Sequence, residues 1–450
     1  MRDEQVIAAI STPFGQGGIA VIRLSGRGSA QVVDRVFRGR SPLSSSPPWT
    51  MRHGHLVDPR GNPIDEVLAV HFKAPKSYTG EDSAEVHCHG GPLVAQMCLE
   101  ALISAGARLA ERGEFTRRAV INRRMDLSAA SAVMALVSGQ SPKAVEAAMG
   151  SLSGATRRAM EELMRDLTRA CSHLEATLDM PEDEIPPLDW ERLREDLSRI
   201  ARGIRDLHQR GLAGMALSQG VQVTLVGRPN VGKSSLLNSL SRQARAIVTP
   251  IPGTTRDVVE AAVIHRGVPI KLLDTAGIRD SNDPIEALGV KLARETMLTA
   301  DLRVLVLDGS SPPHREDLEL LGSLDMPAAA ALNKADLGTD PSWDQVLRDA
   351  RVPNVTLSAL SGKGVEELKD LMVRSICSNP AVDGAVTMFR HQLDALSRAA
   401  EALDGALSSP YLDATAQLAL EAQRHLASAL GLDPTEEVLE AVFRNFCVGK

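Results

Sequence analysis

The segment Gly227-Arg228-Pro229-Asn230-Val231-Gly232-Lys233-Ser234-Ser235 has the glycine, lysine and serine spacing that cradles nucleotide phosphates. Glycines let the backbone wrap phosphate oxygens, and consecutive N–H groups at a helix start attract negative charge. Lys233 can reach the β- and γ-phosphates, and Ser234 can ligate Mg²⁺. Three further patches follow in order. Asp274-Thr275-Ala276-Gly277 closes an apolar run; Asp274 can hold Mg²⁺ through water, and the Gly277 N–H can sense the γ-phosphate. Asn333-Lys334-Ala335-Asp336 closes another. Asp336 can accept two hydrogen bonds from guanine N–H groups that adenine lacks, a discrimination polar sites make strongly. Ser358-Ala359 then supports the base. Together the four patches predict GTP binding and hydrolysis.

One position departs from the common pattern. Where many such enzymes carry a glutamine that orients the attacking water, this chain has Ile278, which cannot polarise water. The nearby acids Asp280, Asp283 and Glu286 are the candidates for that task. A missing arginine finger also needs a substitute, and a bound cation would supply the same charge. The stretch Ala246 to Asp257, with Thr249, Pro250, Ile251, Pro252, Gly253, Thr254 and Thr255 at its centre, lies where the first switch loop belongs. Its hydroxyls and carbonyls are hard oxygen donors suited to an alkali cation or Mg²⁺. Thr255 is the candidate switch threonine on Mg²⁺. Arg256 fits a role in that loop and an ion pair with Asp257 or another acid equally well.

These patches need a scaffold. Apolar runs at Val221–Val226, Val258–His265, Ile270–Leu273, Leu302–Leu307, Ala328–Leu332 and Val355–Leu357 alternate with helical stretches. That predicts a mostly parallel, Ras-like α/β sheet. Arg266-Gly267 marks a hairpin with one antiparallel edge pair. On either side, Leu, Ala and Met recur at helical spacing over 143–178 and 190–217, and again over 388–407, 412–431 and 434–446. One helical domain with the GTPase module inserted into it explains the pattern. Before it, Ile19–Leu24, Val67–Phe72 and Ala84–Cys88 read as strands and Leu93–Ala105 as a helix. The expected organisation is an α+β N-terminal domain (1–120), a helical domain (121–218 and 379–450) and an inserted GTPase domain (219–378).

Composition agrees with a soluble globular protein of about three domains. A net charge of −7 over 450 residues argues against a broad electrostatic grip on nucleic acid, though not against a local basic patch. Cys88, Cys98, Cys171, Cys377 and Cys447 are few, odd in number and scattered. They suggest a reducing compartment rather than a disulfide framework. The start is too acidic and its apolar stretch too short for a leader. No apolar run approaches the ~18 residues of a membrane helix. A cytoplasmic location is expected.

The chain resembles the MnmE (TrmE) family of tRNA-modifying GTPases. The resemblance is carried by the phosphate loop, the Ile247-to-Asp257 loop, Gly17 to Gly26, Ser77 to Asp82, His89-Gly90-Gly91-Pro92 and the tail Phe446-Cys447-Val448-Gly449-Lys450. It implies a folate-binding-like N-terminal domain and a homodimer. It also implies a flavoprotein partner, MnmG, in a heterotetramer that adds a carboxymethylaminomethyl-type group to C5 of wobble uridine in certain tRNAs. The one-carbon unit would come from a tetrahydrofolate derivative, 5-formyl- or methylene-tetrahydrofolate. By resemblance, K⁺ ligands fall on Asn230, Thr249, the Ile251 carbonyl and Thr254, and the water-orienting acid on Glu286. Folate contacts fall on Arg23, Glu85, Arg124 and Lys450, with Arg124 where many members carry lysine. Cationic groups suit folate carboxylates, and a carboxylate suits the N–H edge of a pterin. Cys447 is a candidate nucleophile or acid–base group, or else a small residue that docks the C-terminus. Two stretches depart from the family: Glu111-Arg112-Gly113-Glu114-Phe115, where an Arg-Pro start is common, and Ser131 and Ala135, where acids are common.

Other features have plainer explanations. His87-Cys88-His89 offers two histidines on one strand face with no matching pair nearby in sequence, so no metal is expected there. Arg117, Arg118 and Arg123 read as a solvated helix face rather than a tRNA patch. The rival functions are a ribosome-assembly switch that binds RNA in its GTP state, and a folate carrier with a vestigial GTPase. The terminal Cys447-to-Lys450 tail and the intact Lys233, Ser234, Asp274 and Asp336 argue against them.

Overall fold

The computed structural model describes residues 5–139, 141–179, 189–242, 259–273, 300–323, 328–376, 384–432, 436–443, 446 and 448–449. They fall into two compact units, Met1–Ala130 with Ala427–Lys450, and Ser131–Leu426.

The first unit is built on a seven-stranded sheet. Its strands are β1 (Ile7–Ile10), β2 (Ile19–Ser25), β3 (Phe37–Gly39), β4 (Arg52–Val57), β5 (Pro63–Phe72), β6 (Ser83–His89) and β7 (Arg108–Leu109). Their spatial order is β3-β4-β5-β6-β2-β1-β7. Alternation sends Ala8, Ile22, Leu24, Val67, Ala69, Ala84 and Val86 to one face, where α1 (Ser29–Val36) and α2 (Pro92–Ser104) bury them. On the other face Ile7 and Ala9 pack with Ala110 and with Phe115 of α3 (Glu114–Ile121). α4 (Leu127–Ser138) follows. β2 and β6 pair antiparallel with Arg23 opposite Glu85.

Arg118 corrects the expectation of a solvated face. Only 4% of its side chain is exposed, and it bonds to Glu114 at 2.9 Å, Glu81 at 3.2 Å and the Gln5 carbonyl at 3.1 Å. Glu114 also accepts from Arg108. A helix-face arginine is thus a buried tie between α3 and the strand ends, because two acids meet it there.

The second unit begins with α5 (Pro142–Leu152), α6 (Ala155–Asp179) and α7 (Trp190–Gln219). The helical pattern over 143–178 is two helices rather than one, broken at Gly154, which takes a positive φ of 84°. A six-stranded sheet follows: β8 (Val221–Val226), β9 (Val259–His265), β10 (Val268–Leu273), β11 (Leu302–Asp308), β12 (Ala328–Asn333) and β13 (Asn354–Thr356). Its order is β13-β12-β11-β8-β10-β9, parallel except for β9. The β9–β10 hairpin turns at Arg266-Gly267, as expected, with positive φ at both residues. α8 (Lys233–Arg242), α9 (Arg315–Gly322) and α10 (Ser342–Ala350) connect strands, and α11 (Val365–Arg374) follows β13. Apolar strand residues such as Val223, Val304 and Ala331 share one core with Leu236, Leu368 and Met372.

The last turns of α7 join that same core through Ala213, Ala216 and Leu217. α12 (Arg390–Ser408) and α13 (Leu412–Leu430) complete a helical layer with α6 and α7. Arg199 pairs with Asp166, Arg205 with Asp404, and Gln423 with Thr168 across it. The chain ends in the first unit with α14 (Glu436–Phe443), where Phe446 packs on Phe443. Among the described residues no helix is long and apolar enough to cross a membrane.

Candidate functional site

The phosphate-loop sequence leaves the C-terminal end of β8 and enters α8 at Lys233. The first N–H groups of a helix have no partner within it, so those of Lys233, Ser234 and Ser235 open toward the loop. Asn230 and Gly232 hold positive φ values of 64° and 98°. A Cβ at position 232 would stand 2.3 Å from Asn333 Nδ2, so only glycine fits. Lys233 Nζ donates to the carbonyls of Gly227 at 2.5 Å and Arg228 at 2.7 Å, which keeps its charge at the loop. The side chain of Ser234 is exposed at the helix start, a position from which its hydroxyl can meet a metal ion. Val231 is buried and anchors the loop.

The Asn333-Lys334-Ala335-Asp336 patch sits at the end of β12, two strands away in the same sheet. Crevices at the carboxyl ends of parallel strands are where such folds bind ligands. Asn333 is buried and acts as a bridge: its Nδ2 donates to the Val231 carbonyl at 2.9 Å, and its Oδ1 accepts from the Ala359 N–H at 2.9 Å. Asp336 is exposed, and its Oδ1 accepts from Ser358 Oγ at 2.5 Å. That bond fixes the carboxylate and leaves Oδ2 free to receive N–H groups. Lys334 takes a left-handed backbone (φ 67°) and ion-pairs with Asp308 at 2.6 Å.

Asp308 escaped the sequence reading, although an acid ending an apolar strand just before Gly309-Ser310 was a usable signal. Burial raises its carboxyl, but hydrogen bonds from Lys334 and Ser310 outweigh that and hold it below the usual range. Asp317 was missed as well. It is fully buried at the start of α9 and accepts from Arg228 Nε at 2.7 Å, pinning the second residue of the phosphate loop. Thr249 to Thr255, Asp274 to Gly277 and Glu286 lie outside the described residues.

The first unit holds the other predicted group. Arg23 Nε and Nη2 both reach Glu85 Oε1 at 3.0 Å. The guanidinium lies 5.1 Å from the Tyr78 ring centre and 6.0 Å from that of Phe115. Tyr78 bonds to Thr116 Oγ1, and burial raises its hydroxyl above the ordinary value. Arg23 Nη1 is buried with no hydrogen-bond partner among the described residues. A buried guanidinium N–H calls for an acceptor, which an anionic or carbonyl-bearing ligand would provide. Arg124 donates to the Ser77 carbonyl at 3.2 Å, so the Ser77-Tyr78 segment touches both predicted arginines.

The tail docks on the same unit. Val448 pairs with Arg112, Ser11 Oγ donates to the Gly449 carbonyl at 3.1 Å, and a Cβ on Gly449 would stand 2.5 Å from the Ile10 carbonyl. Cys447 and Lys450 themselves lie outside the described residues. Of the departures from the family, Ser131 and Ala135 are both buried, where small side chains pack.

Residues 6–124 match the family model described as GTP-binding protein TrmE N-terminus, and residues 127–447 match the MnmE helical domain. The chain is 42% identical over 463 residues to a tRNA modification GTPase MnmE of Synechococcus sp. (strain CC9605), covering all of both chains. It is 39% identical over 459 residues to the protein of that name from Clostridioides difficile (strain 630), covering 99% of each. With the phosphate loop and the Asn333-to-Asp336 loop at the ends of one sheet's strands and the likeness running end to end, the chain belongs to the MnmE family of tRNA modification GTPases.

Proposed function

We propose that this GTPase is K⁺-activated and Mg²⁺-dependent, and that it works as a homodimer with the flavoprotein MnmG. Together they add a carboxymethylaminomethyl-type group to C5 of wobble uridine in certain tRNAs, in the cytoplasm, with the one-carbon unit drawn from a tetrahydrofolate derivative. The observation that carries this reading is the buried, unbonded Nη1 of Arg23 beside Glu85, in a chain that also bears the guanine-nucleotide loops. A pure nucleotide switch has no need of such a group. The domain division given above, with the GTPase inserted into the helical domain, belongs to the same proposal.

Within the nucleotide site, Lys233 and the α8 N–H groups hold the phosphates. Asp336, steadied by Ser358, reads the base. Ser234 and Thr255 would hold Mg²⁺, with Asp274 acting through water. Asn230, Thr249, the Ile251 carbonyl and Thr254 would hold K⁺. These cations would supply positive charge against the phosphates where an arginine finger is absent. Glu286 orients the attacking water, the task Ile278 cannot do. Around Tyr78, Arg23 and Arg124 would hold carbonyl or carboxylate groups of a bound folate, and Glu85 would accept from its N–H edge. Lys450 adds a cation there, and Cys447 takes a chemical role in the modification. Nucleotide-driven switching of loop order then gates the chemistry.

Mass spectrometry of tRNA nucleosides from cells with and without the gene tests the proposal. The expected result is loss of the C5-aminomethyl-type wobble uridines on deletion. Wild type restores them and Cys447→Ser does not. An unchanged profile overturns the modification reading and leaves a GTPase switch to be sought on the ribosome.

A further inference from the structure

The His87-Cys88-His89 stretch is arranged differently from its sequence pattern. His87 faces Glu85 at 3.4 Å, while His89 turns to Asp65. Cys88, between them, points into the core under α2 and meets Cys98, ten residues later in the chain. Cys98 is fully buried and Cys88 is 3% exposed. Asp65 of β5 completes the cluster: its carboxylate oxygen and the two Sγ atoms all lie within 4.8 Å of one another. His89 Nδ1 is 2.7 Å from Asp65 Oδ1, and the His89 backbone N–H donates to Oδ2 at 2.7 Å.

We infer that Cys88, Cys98 and Asp65 bind a thiophilic divalent ion of the Zn²⁺ class, with water completing the tetrahedron and His89 hydrogen-bonded to Asp65 behind it. Two sulfurs and a carboxylate oxygen on three separate elements form a donor set that such ions accept. Zn–S bonds of about 2.3 Å set tetrahedral sulfur–sulfur edges near ~3.8 Å. The cluster therefore has to contract by no more than ~1 Å. The two thiols lie within reach of each other, with Cys88 Sγ donating to the Ala20 carbonyl at 3.6 Å, and metal binding would release the thiol protons. The Asp65 side chain is 11% exposed and bonded to the exposed His89, so the site has an entry from solvent. Once filled, the site clamps α2 to β5 and β6. It is distinct from the Arg23–Glu85 group, since Cys88 and Glu85 stand on opposite faces of β6.

Cobalt titration of the purified full chain tests this. Co²⁺ should saturate at one equivalent per chain, give the intense visible bands of a tetrahedral site with sulfur-to-cobalt charge transfer, and be displaced by Zn²⁺. Cys98→Ala should abolish the bands while far-UV circular dichroism stays unchanged. His89→Ala should weaken binding by about 10–100-fold. Should Cys98→Ala fail to fold, the near-isosteric Asp65→Asn serves instead, with at least a tenfold loss expected. Weak octahedral bands, titration without saturation, or bands unaltered in Cys98→Ala or Asp65→Asn would each overturn the inference. So would recovery of Cys88 and Cys98 as a disulfide from protein purified without reductant.

Discussion

Replacing Asp336 by asparagine tests the base-reading geometry directly. In the structure Oδ1 is occupied by the Ser358 hydroxyl at 2.5 Å, which sets the plane of the carboxylate. A carboxamide keeps the shape and that bond but loses the negative charge, and it presents N–H donors where guanine also donates. Hydrogen bonds to charged groups contribute about 1.5–3 kcal/mol each. Losing two of them costs about 3–6 kcal/mol, or roughly 10²- to 10⁴-fold in affinity at ~1.4 kcal/mol per decade. Xanthosine triphosphate carries a carbonyl where guanine carries its exocyclic amine, so it can accept from the new carboxamide. The assay is displacement of a fluorescent guanine nucleotide by unlabelled GTP and xanthosine triphosphate. Asp336→Asn should weaken GTP by at least a hundredfold and bind xanthosine triphosphate better than the wild type does. A GTP loss under tenfold, or equal losses for the two nucleotides, would show that Asp336 does not read the base.

Three other outcomes are expected. Glu286→Ala should leave GTP affinity within about twofold and remove most turnover, since water orientation acts on the transition state alone; an equal loss of binding would mark the residue as structural. GTP hydrolysis by the pure protein should run faster in K⁺ than in Na⁺ at equal ionic strength, and equal rates would remove the cation from the mechanism. Glu114→Gln should destabilise the first unit by about 1.5–3 kcal/mol, because buried Arg118 keeps Glu81 but loses its charged bond to Glu114. Burial raises the Glu114 carboxyl, but bonds from Arg108, the Glu111 N–H and Arg118 hold it below its ordinary 4.5. Its contribution is therefore present above the unfolded value and lost as pH falls through the lower folded one. Hydrogen exchange of β1 amides should show the gap between wild type and variant at pH 7 closing as the pH drops below about 4.5.

Much of the second unit was readable in the chain because local signals agree there. The apolar runs are bounded by glycine turns, and the phosphate loop states its own backbone needs through Gly227 and Gly232. In the first unit several elements carried weaker signals. β4 reads Arg-His-Gly-His-Leu-Val, and its outward histidines dilute the alternation. β7 is two residues long, and β1 hid inside a stretch judged only for its length. Long-range pairing was the other loss. Nothing near Arg118 announces Glu81, thirty-seven residues away, and nothing in His-Cys-His points to a cysteine on the next helix. Arg23 and Glu85 were each named as folate positions from family likeness, but the sequence alone gives no register that sets β2 against β6 and so joins them.

The shared carboxamide of Asn333 has a mechanical consequence. One side chain holds a carbonyl of the phosphate loop and an N–H of the base loop, so neither loop relaxes alone. Moving the loop at Ala359 therefore pulls on the phosphate loop at Val231, and the reverse, through a single side chain.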